Sequence, residues 1–378
     1  MSNNNGLTIF NTNNTDATLE FMFDGEHLNV ARYDKQKHER FERLNRDMIG
    51  QYWVPEEINM AKDFNDFQKN MDEGEKHIFV SNLQYQTLLD SVQGRAPVIA
   101  FLPCCSLPEL EGCIETWSFF EQIHARSYTH IIRSVFNDPS EVFDNIMVND
   151  AILERAASVT ECYNDYINAY FNYVSGNSNG YTEYEIKSKR FDAMISVNIL
   201  EAIRFYVSFA CSLAFDKQGK MNGTGRIITL IARDEARHKH LTQQIIRLWS
   251  GGYDDPMMKD IFQDRKAFAE SLFAEAAAQE KNWAKHLFEH GTIRGLNENI
   301  LSAYVDYTSY NSMRAIGLTP YCEQVNHPIP WIETYFSSSG RQDAPQESEE
   351  TSYLVGNVDT TLSDNDLEDL GSFGDFED

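Results

Sequence analysis

The feature that most constrains the fold is a helical repeat of apolar residues, which runs from about residue 33 to 320. Apolar side chains recur there at steps of three and four, and few prolines interrupt the long runs. This period predicts an all-α protein. The predicted helices cover residues 34–50, 72–94, 107–136, 149–174, 183–215, 223–249, 257–288 and 297–316.

The stretch from Met194 to Phe215 is apolar almost all the way round a helix. A helix of this kind has no side that suits water, so it predicts the buried centre of a bundle of long helices. Nothing in the 42% apolar composition of the 378 residues demands a second domain. We therefore predict one helical domain over residues 31–336, an N-terminal arm over 1–30 and a tail over 337–378.

Much of the net charge of −26 lies in this tail. Residues 341–378 hold 12 Asp or Glu against the single Arg341, a net charge of −11. The tail is too polar to bury a core, which predicts an acidic disordered segment. Its apolar residues, including Tyr353, Phe373 and Phe376, are typical of a peptide that docks in a groove of another protein. An inert solubilising tail is the alternative.

The bulk composition also excludes several classes of partner. An acidic chain repels phosphate backbones, so we predict no nucleic-acid partner. We find no window of about 18 apolar residues and predict no membrane span. The first 20 residues lack the charged and apolar regions of a secretion signal, which predicts a cytoplasmic protein. In that reducing compartment the six cysteines are expected to be free thiols.

The motif Glu-x-x-His occurs twice, as Glu121 to His124 and as Glu235 to His238. Residues three apart share a helix face, so each motif presents one oxygen and one nitrogen ligand to the same point. Chance alone gives about one such spacing in a chain of this composition, so the surroundings decide. Both copies lie in apolar helical segments, where a solvated salt bridge is not expected.

Two further carboxylates, Asp90 and Glu201, stand alone in apolar helical segments. A buried ionised acid must be paired, hydrogen-bonded or bound to a metal. Singly, each acid or imidazole has an ordinary explanation as an ion pair or a satisfied core residue. Together, four acids and two imidazoles on four helices fit a pair of metal ions bridged by carboxylates. Such a ligand set without thiolate favours iron or manganese. Four arginines lie near in sequence: Arg95, Arg126, Arg204 and Arg233.

Tyr128 follows His124 by one helical turn, so it should lie on the same face, beside the metals. Apolar residues one turn from the predicted ligands are expected to surround it: Phe205, Phe209 and Ile231. A phenol that is shielded from water beside an oxygen-activating metal pair is able to lose an electron and a proton and to persist as a radical. Most tyrosines serve packing, which is the ordinary alternative for Tyr128.

Four segments around these residues resemble the small, radical-bearing subunit of class I ribonucleotide reductase, a ferritin-like di-iron protein. They are Leu88–Arg95, Glu121–His130, Leu200–Phe209 and Ile231–His238. The resemblance runs from about Ala31 to Gly356, with order, spacing and neighbours in agreement. It implies a subunit that makes a stable tyrosyl radical, which a large catalytic subunit uses to reduce ribonucleoside diphosphates to deoxyribonucleoside diphosphates.

The resemblance implies a role for each candidate residue. Two iron ions per chain, oxo-bridged when oxidised, would be held by Asp90, Glu121, His124, Glu201, Glu235 and His238. Tyr128 would carry the radical that is formed with molecular oxygen. Trp53 would feed an electron to the site, and its partner Asp234 would orient His124. Trp117 would donate a hydrogen bond to Glu201.

The resemblance also gives the acidic tail a purpose. Tyr353 would relay the radical to the large subunit, with Glu347 as its proton partner. The last residues, including Phe373 and Phe376, would dock on that subunit. A homodimer is the habit of the family. Manganese stays an alternative to iron, because both accept this ligand set.

Two positions depart from the family pattern. Phe120 stands where a small residue is common, and Arg237 stands where an apolar one is usual, so Arg237 is expected to point away from the metals. Two other functions share the same ligands: a two-electron di-metal oxidase and a ferritin-like iron-binding protein. Tyr128, Trp53 and the tail residue Tyr353 favour the reductase over both.

Overall fold

The computed structural model describes residues 8, 11–12, 16–177 and 180–336. Its long helices, in chain order, are α1 (Glu39–Gly50), α2 (Glu73–Gln93), α3 (Pro108–Val135), α4 (Asp150–Val174), α5 (Glu183–Ile199), α6 (Tyr206–Lys217), α7 (Asn222–Gly251), α8 (Pro256–Leu287) and α9 (Glu298–Ala315). Within these residues the β structure is limited to one isolated antiparallel bridge, between Phe23 and Cys105. The predicted all-α fold is confirmed. The predicted tail, with Glu347, Tyr353, Phe373 and Phe376, lies outside the described residues.

Polar residues at the helix starts fix where the long helices begin. At α2, Asp72 accepts a hydrogen bond from the Glu75 backbone N–H, and the Glu75 carboxylate accepts one from the Asp72 backbone N–H. Thr182 and Glu185 form the same reciprocal pair at the start of α5. Each pair satisfies two backbone donors that the first turn leaves free. The helix phase is thereby set, and with it the face that turns to the core.

The first predicted helix begins later than expected, at Glu39 instead of residue 34. Glu109, from the start of α3, accepts hydrogen bonds from the backbone N–H groups of Lys37 and His38, at 2.9 and 3.0 Å. These donors are therefore tied to another element and do not enter a helical turn. Short helical segments that the sequence did not indicate join the long helices: Pro55–Glu57, Ala61–Asn65, Asp66–Asn70, Ala96–Ala100, Leu102–Cys104, Ser140–Phe143 and Ile146–Val148.

The predicted helix over 183–215 is two helices, α5 and α6, joined by a π-helical segment at Leu200–Arg204. We call this segment the π turn. Every residue from 193 to 215 is buried, so this rod is the centre of the bundle, as its composition predicted. The π turn itself was not predicted, because the local sequence is that of an ordinary apolar helix.

One helical stretch, Glu183–Lys217, does contain an 18-residue window that is long and apolar enough to cross a membrane, with a mean hydropathy of 1.4. The prediction that no such window exists is therefore wrong. The whole window is buried inside the protein, as in the core helix of a soluble bundle.

A buried ion-pair network lies beside the π turn. We call it the Glu280 network; it consists of Tyr85, Arg155, Ser158, Arg204, Gln279 and Glu280. The Tyr85 hydroxyl donates to Glu280 Oε1 at 2.6 Å, and Arg204 Nη1 lies 3.4 Å from the same oxygen. Glu280 and Tyr85 are fully buried. The network ties α2, α4 and α8 to the central rod.

Candidate metal centre

The six predicted metal ligands meet in the middle of the bundle, and each has an exposed fraction of 0%. They come from four elements: Asp90 from α2, Glu121 and His124 from α3, Glu201 from the π turn, and Glu235 and His238 from α7. We call these six residues the ligand cluster. They form two groups with ligand atoms within 4.8 Å of one another: Asp90, Glu121, His124 and Glu235, and Glu121, Glu201, Glu235 and His238. Both groups contain Glu121 and Glu235.

Glu121 and Glu235 each turn one carboxylate oxygen towards each imidazole. His124 Nδ1 lies 3.0 Å from Glu235 Oε1 and 3.6 Å from Glu121 Oε2. His238 Nδ1 lies 2.9 Å from Glu235 Oε2 and 3.1 Å from Glu121 Oε1. Two carboxylates placed in this way could hold a pair of ions between them, and each imidazole would then supply a nitrogen ligand.

No arginine or lysine among the described side chains forms an ion pair with the four acids of the ligand cluster. Their nearest basic groups are the two imidazoles of the cluster itself. The four arginines that lie near in sequence are exposed or engaged elsewhere: Arg95 and Arg126 are exposed, Arg204 faces Glu280, and Arg233 donates to the Tyr335 carbonyl. An uncompensated buried carboxylate costs several kcal/mol. Carboxylate oxygens and imidazole nitrogens, with no arginine or lysine paired to the acids, are ligands that fit two divalent ions such as iron or manganese.

Burial and mutual repulsion control the pKa values within the cluster. Burial, reinforced by repulsion from Glu121 and Glu235, raises the pKa of Asp90 well above its usual value. Burial and the same neighbours also raise the pKa of Glu201. Burial disfavours charge on His238, but hydrogen bonds to Glu121 and Glu235 outweigh it and raise its pKa to about 9. Metals would therefore displace protons when they bind here.

Trp53, Asp234 and His124 form a hydrogen-bonded line that leads out of the cluster. Trp53 Nε1 donates to Asp234 Oδ2 at 2.9 Å, and the same oxygen lies 3.1 Å from His124 Nε2. The rings of Trp53 and His124 are stacked, with centroids 6.3 Å apart. Because Asp234 engages Nε2, it fixes the ring of His124 with Nδ1 facing the cluster.

Tyr128 is fully buried beside the cluster, and Asp90 is the acidic neighbour that acts most strongly on the phenol. Burial, and then the charge of Asp90, raise the pKa of the phenol well above its usual value. The apolar residues predicted around it are all fully buried: Phe205, Phe209 and Ile231. Phe205 and Phe209 stack on each other with centroids 5.7 Å apart.

Trp117 makes a different contact from the one that the resemblance implied. Its Nε1 donates to Glu121 Oε1 at 3.0 Å, one turn further along α3, and not to Glu201. The donor to Glu201 is Gln93, whose Nε2 lies 2.7 Å from Glu201 Oε1. Sequence reasoning missed Gln93, although its position three residues after Asp90 on the same helix was an available signal.

The two departures from the family pattern are accommodated differently. Phe120 is buried and packs edge-on against Phe119, with centroids 5.7 Å apart. Arg237 donates to Asp47 and so points away from the cluster, as expected. Its Nη1 nevertheless lies 3.8 Å from Asp234 Oδ1, so its charge acts on the line from Trp53 to His124.

The amino-acid sequence matches one protein family and several known proteins. Residues 31–328 match the family described as "Ribonucleotide reductase, small chain". The ribonucleoside-diphosphate reductase subunit beta of Haemophilus influenzae is 47% identical over 96% of this chain and 99% of its own. The corresponding protein of Escherichia coli O157:H7 is 47% identical over 97% and 99%. That of Enterobacteria phage T4 is 42% identical over 94% and 97%.

Solved structures resemble the fold. The ribonucleotide reductase R2 subunit from Clostridium botulinum has a TM-score of 0.76 at 27% identity, covering 88% of this chain and 98% of that one. The dimanganese(II)-NrdF of Streptococcus sanguinis has a TM-score of 0.64 at 18% identity, covering 82% and 100%. At that identity the second likeness concerns the fold alone.

Proposed function

The chain belongs to the ribonucleotide reductase small-chain family, and we propose that Tyr128 carries the radical that this subunit supplies for the reduction of ribonucleoside diphosphates. The observation that carries the assignment is a fully buried phenol beside four buried acids and two imidazoles, with no described arginine or lysine to pair with the acids. Two iron ions, when bound in the cluster, would supply the oxidation of this phenol with molecular oxygen.

Each acid and imidazole of the ligand cluster has a proposed role as a metal ligand. Asp90 and His124 would bind one ion, Glu201 and His238 the other, and the two shared carboxylates would bridge them. Trp117 donates a hydrogen bond to Glu121 and Gln93 donates one to Glu201. Asp234 accepts one from His124, so all three residues hold ligands in place, as the partners of metal ligands usually do. The family implies a large catalytic subunit as the partner.

Water exclusion is the second task of the chain. Phe205, Phe209 and Ile231 belong to the apolar core, so a radical on Tyr128 would be shielded from reductants in solvent. Trp53, hydrogen-bonded through Asp234 to His124, is the assigned electron donor and the start of the outward path. Tyr353 and Glu347 would continue that path in a tail that docks on the large subunit. We also propose a homodimer, as in the family.

Electron paramagnetic resonance tests the assignment. After ferrous iron and oxygen are added to the metal-free full-length protein, we expect a tyrosyl signal in the wild type. Tyr128→Phe should lose the signal while it retains two irons per chain. Tyr163→Phe is the matched control, since Tyr163 is also buried near the cluster and its hydroxyl donates to Gln93 at 3.3 Å. An unchanged signal in Tyr128→Phe would refute the proposal, and a radical that forms only with manganese would refute iron.

A further inference from the structure

The π turn carries a cluster ligand near its start and a buried arginine at its end. Glu201 points into the ligand cluster, where its Oε2 lies 4.0 Å from His238 Nδ1. Arg204 follows three residues later and is only 3% exposed. A shift of the Arg204 end of the turn therefore moves the backbone that carries Glu201.

Arg204 is fixed by side chains from two other helices. Its Nη2 donates to Ser158 Oγ on α4 at 2.6 Å and to Gln279 Oε1 on α8 at 2.9 Å. Its Nη1 lies 3.4 Å from Glu280 Oε1, also on α8. Because the guanidinium is a rigid planar fork, these contacts determine where the end of the turn lies.

Local sequence does not explain the π turn. Residues 200–204 read Leu-Glu-Ala-Ile-Arg, which contains good α-helix formers and neither Gly nor Pro. A π segment is rare and occurs often at functional sites. The turn must therefore be imposed by tertiary contacts, and the polar contacts at this turn are those of Glu201 and Arg204.

We propose that Arg204 is a positioning residue of the metal centre. Its contacts with Ser158, Gln279 and Glu280 keep the π turn in register, so that Glu201 reaches the ion that it shares with His238. The inference rests on the proposed assignment of Glu201 as a metal ligand. Arg204 acts through the backbone of the turn.

Metal titration without oxygen tests this role. The metal-free full-length protein is titrated with Mn²⁺, and the free ion is followed by electron paramagnetic resonance. The wild type should bind two ions per chain. In Arg204→Met one of the two binding steps should weaken by about 10- to 100-fold, the usual effect of losing a residue that orients a ligand, while the other step is kept.

Arg155→Met is the matched control. Arg155 Nε lies 3.7 Å from the same Glu280 oxygen, but Arg155 belongs to α4 and not to the π turn. Both variants should lower the melting temperature, because each removes a cation from Glu280. Arg155→Met should nevertheless bind both Mn²⁺ ions as the wild type does. Arg204→Lys keeps the charge without the fork and should give an intermediate loss, which is measurable if Arg204→Met does not fold.

Two results would overturn the inference: wild-type binding of both ions by Arg204→Met or Arg204→Lys, or equal weakening of one step in Arg155→Met. Glu201→Ala separates this failure from that of the ligand assignment. If Glu201→Ala still binds two ions normally, the assignment of Glu201 is wrong. If it loses one step and the Arg204 variants lose none, only the role of Arg204 is wrong.

Discussion

The protein buries carboxylates in two neighbouring regions and treats them in opposite ways. Glu280 accepts a hydrogen bond from Tyr85 and is faced by Arg155 and Arg204. The four acids of the ligand cluster are equally buried, yet no described arginine or lysine pairs with them, and their neighbours are two imidazoles and the neutral donors Trp117 and Gln93. Arginines compensate the first region, whereas the second region contains the acids and imidazoles of a candidate metal site. The position of the arginines thus separates a structural acid from a metal-binding one.

The largest expected effect is a loss of stability when the Glu280 network is disrupted. Glu280→Gln leaves Arg155 and Arg204 without their carboxylate, and we expect the free energy of unfolding to fall by about 3 to 5 kcal/mol. Urea denaturation of the metal-free protein measures it. Glu275→Gln, an exposed position on the same helix, should change stability by less than about 0.5 kcal/mol. A loss below about 1 kcal/mol in Glu280→Gln would mean that the network compensates nothing.

The next effect is the pH dependence of metal binding. Before metal binds, burial raises the pKa values of Asp90 and Glu201 and so favours their protonated forms, and His238, with a pKa of about 9, holds a proton at neutral pH. Metals displace these protons, so affinity should rise with pH between about 6 and 9, by up to about tenfold per pH unit for each proton released. Calorimetry at pH 7 in two buffers of different ionisation enthalpy counts the protons. Identical heats in both buffers would contradict the expectation.

A smaller effect separates the two regions in the metal-free protein. Asp90→Asn removes an acid that has no cation, so the free energy of unfolding should stay within about 1 kcal/mol of the wild type or rise. The same denaturation experiment compares it directly with Glu280→Gln. If the two variants were destabilised equally, the contrast between the regions would not hold.

The smallest effect concerns the charge beside the electron path. Arg237 pairs with Asp47 near the surface, so Arg237→Leu should cost no more than about 1 kcal/mol. Because Arg237 also lies 3.8 Å from Asp234, the decay of the Tyr128 radical in the variant, followed by its resonance signal, reports whether this charge tunes the path. Asp47→Asn is the control that removes the surface pair and keeps the arginine.

The elements that could be read from the sequence are those fixed by short-range geometry. Seven of the eight predicted helices each match one long helix, and the eighth matches α5 and α6 together. Most ends agree within a few residues, because apolar periodicity and capping residues are local. The ligand cluster follows from the same geometry, since each Glu-x-x-His pair shares one helix face. Asp90 and Glu201 could also be singled out locally, because an acid in an apolar helical segment must be paired, hydrogen-bonded or bound to a metal.

What the sequence could not give depends on contacts between distant residues. The late start of α1 comes from Glu109, and the donor to Glu201 is Gln93, more than a hundred residues away.

The sequence by itself determined the helical bundle and which acids and imidazoles could bind metals, because periodicity and spacing set the faces of helices. Only the tertiary structure decided that Arg204 pairs with Glu280 and forms no ion pair with the acids of the ligand cluster. It also decided that the central helix makes a π turn at Glu201. The pairing of Arg204 and the π turn both depend on which side chains meet across the bundle. Those contacts determine the free energies of burial and ion pairing, and the local sequence does not contain them.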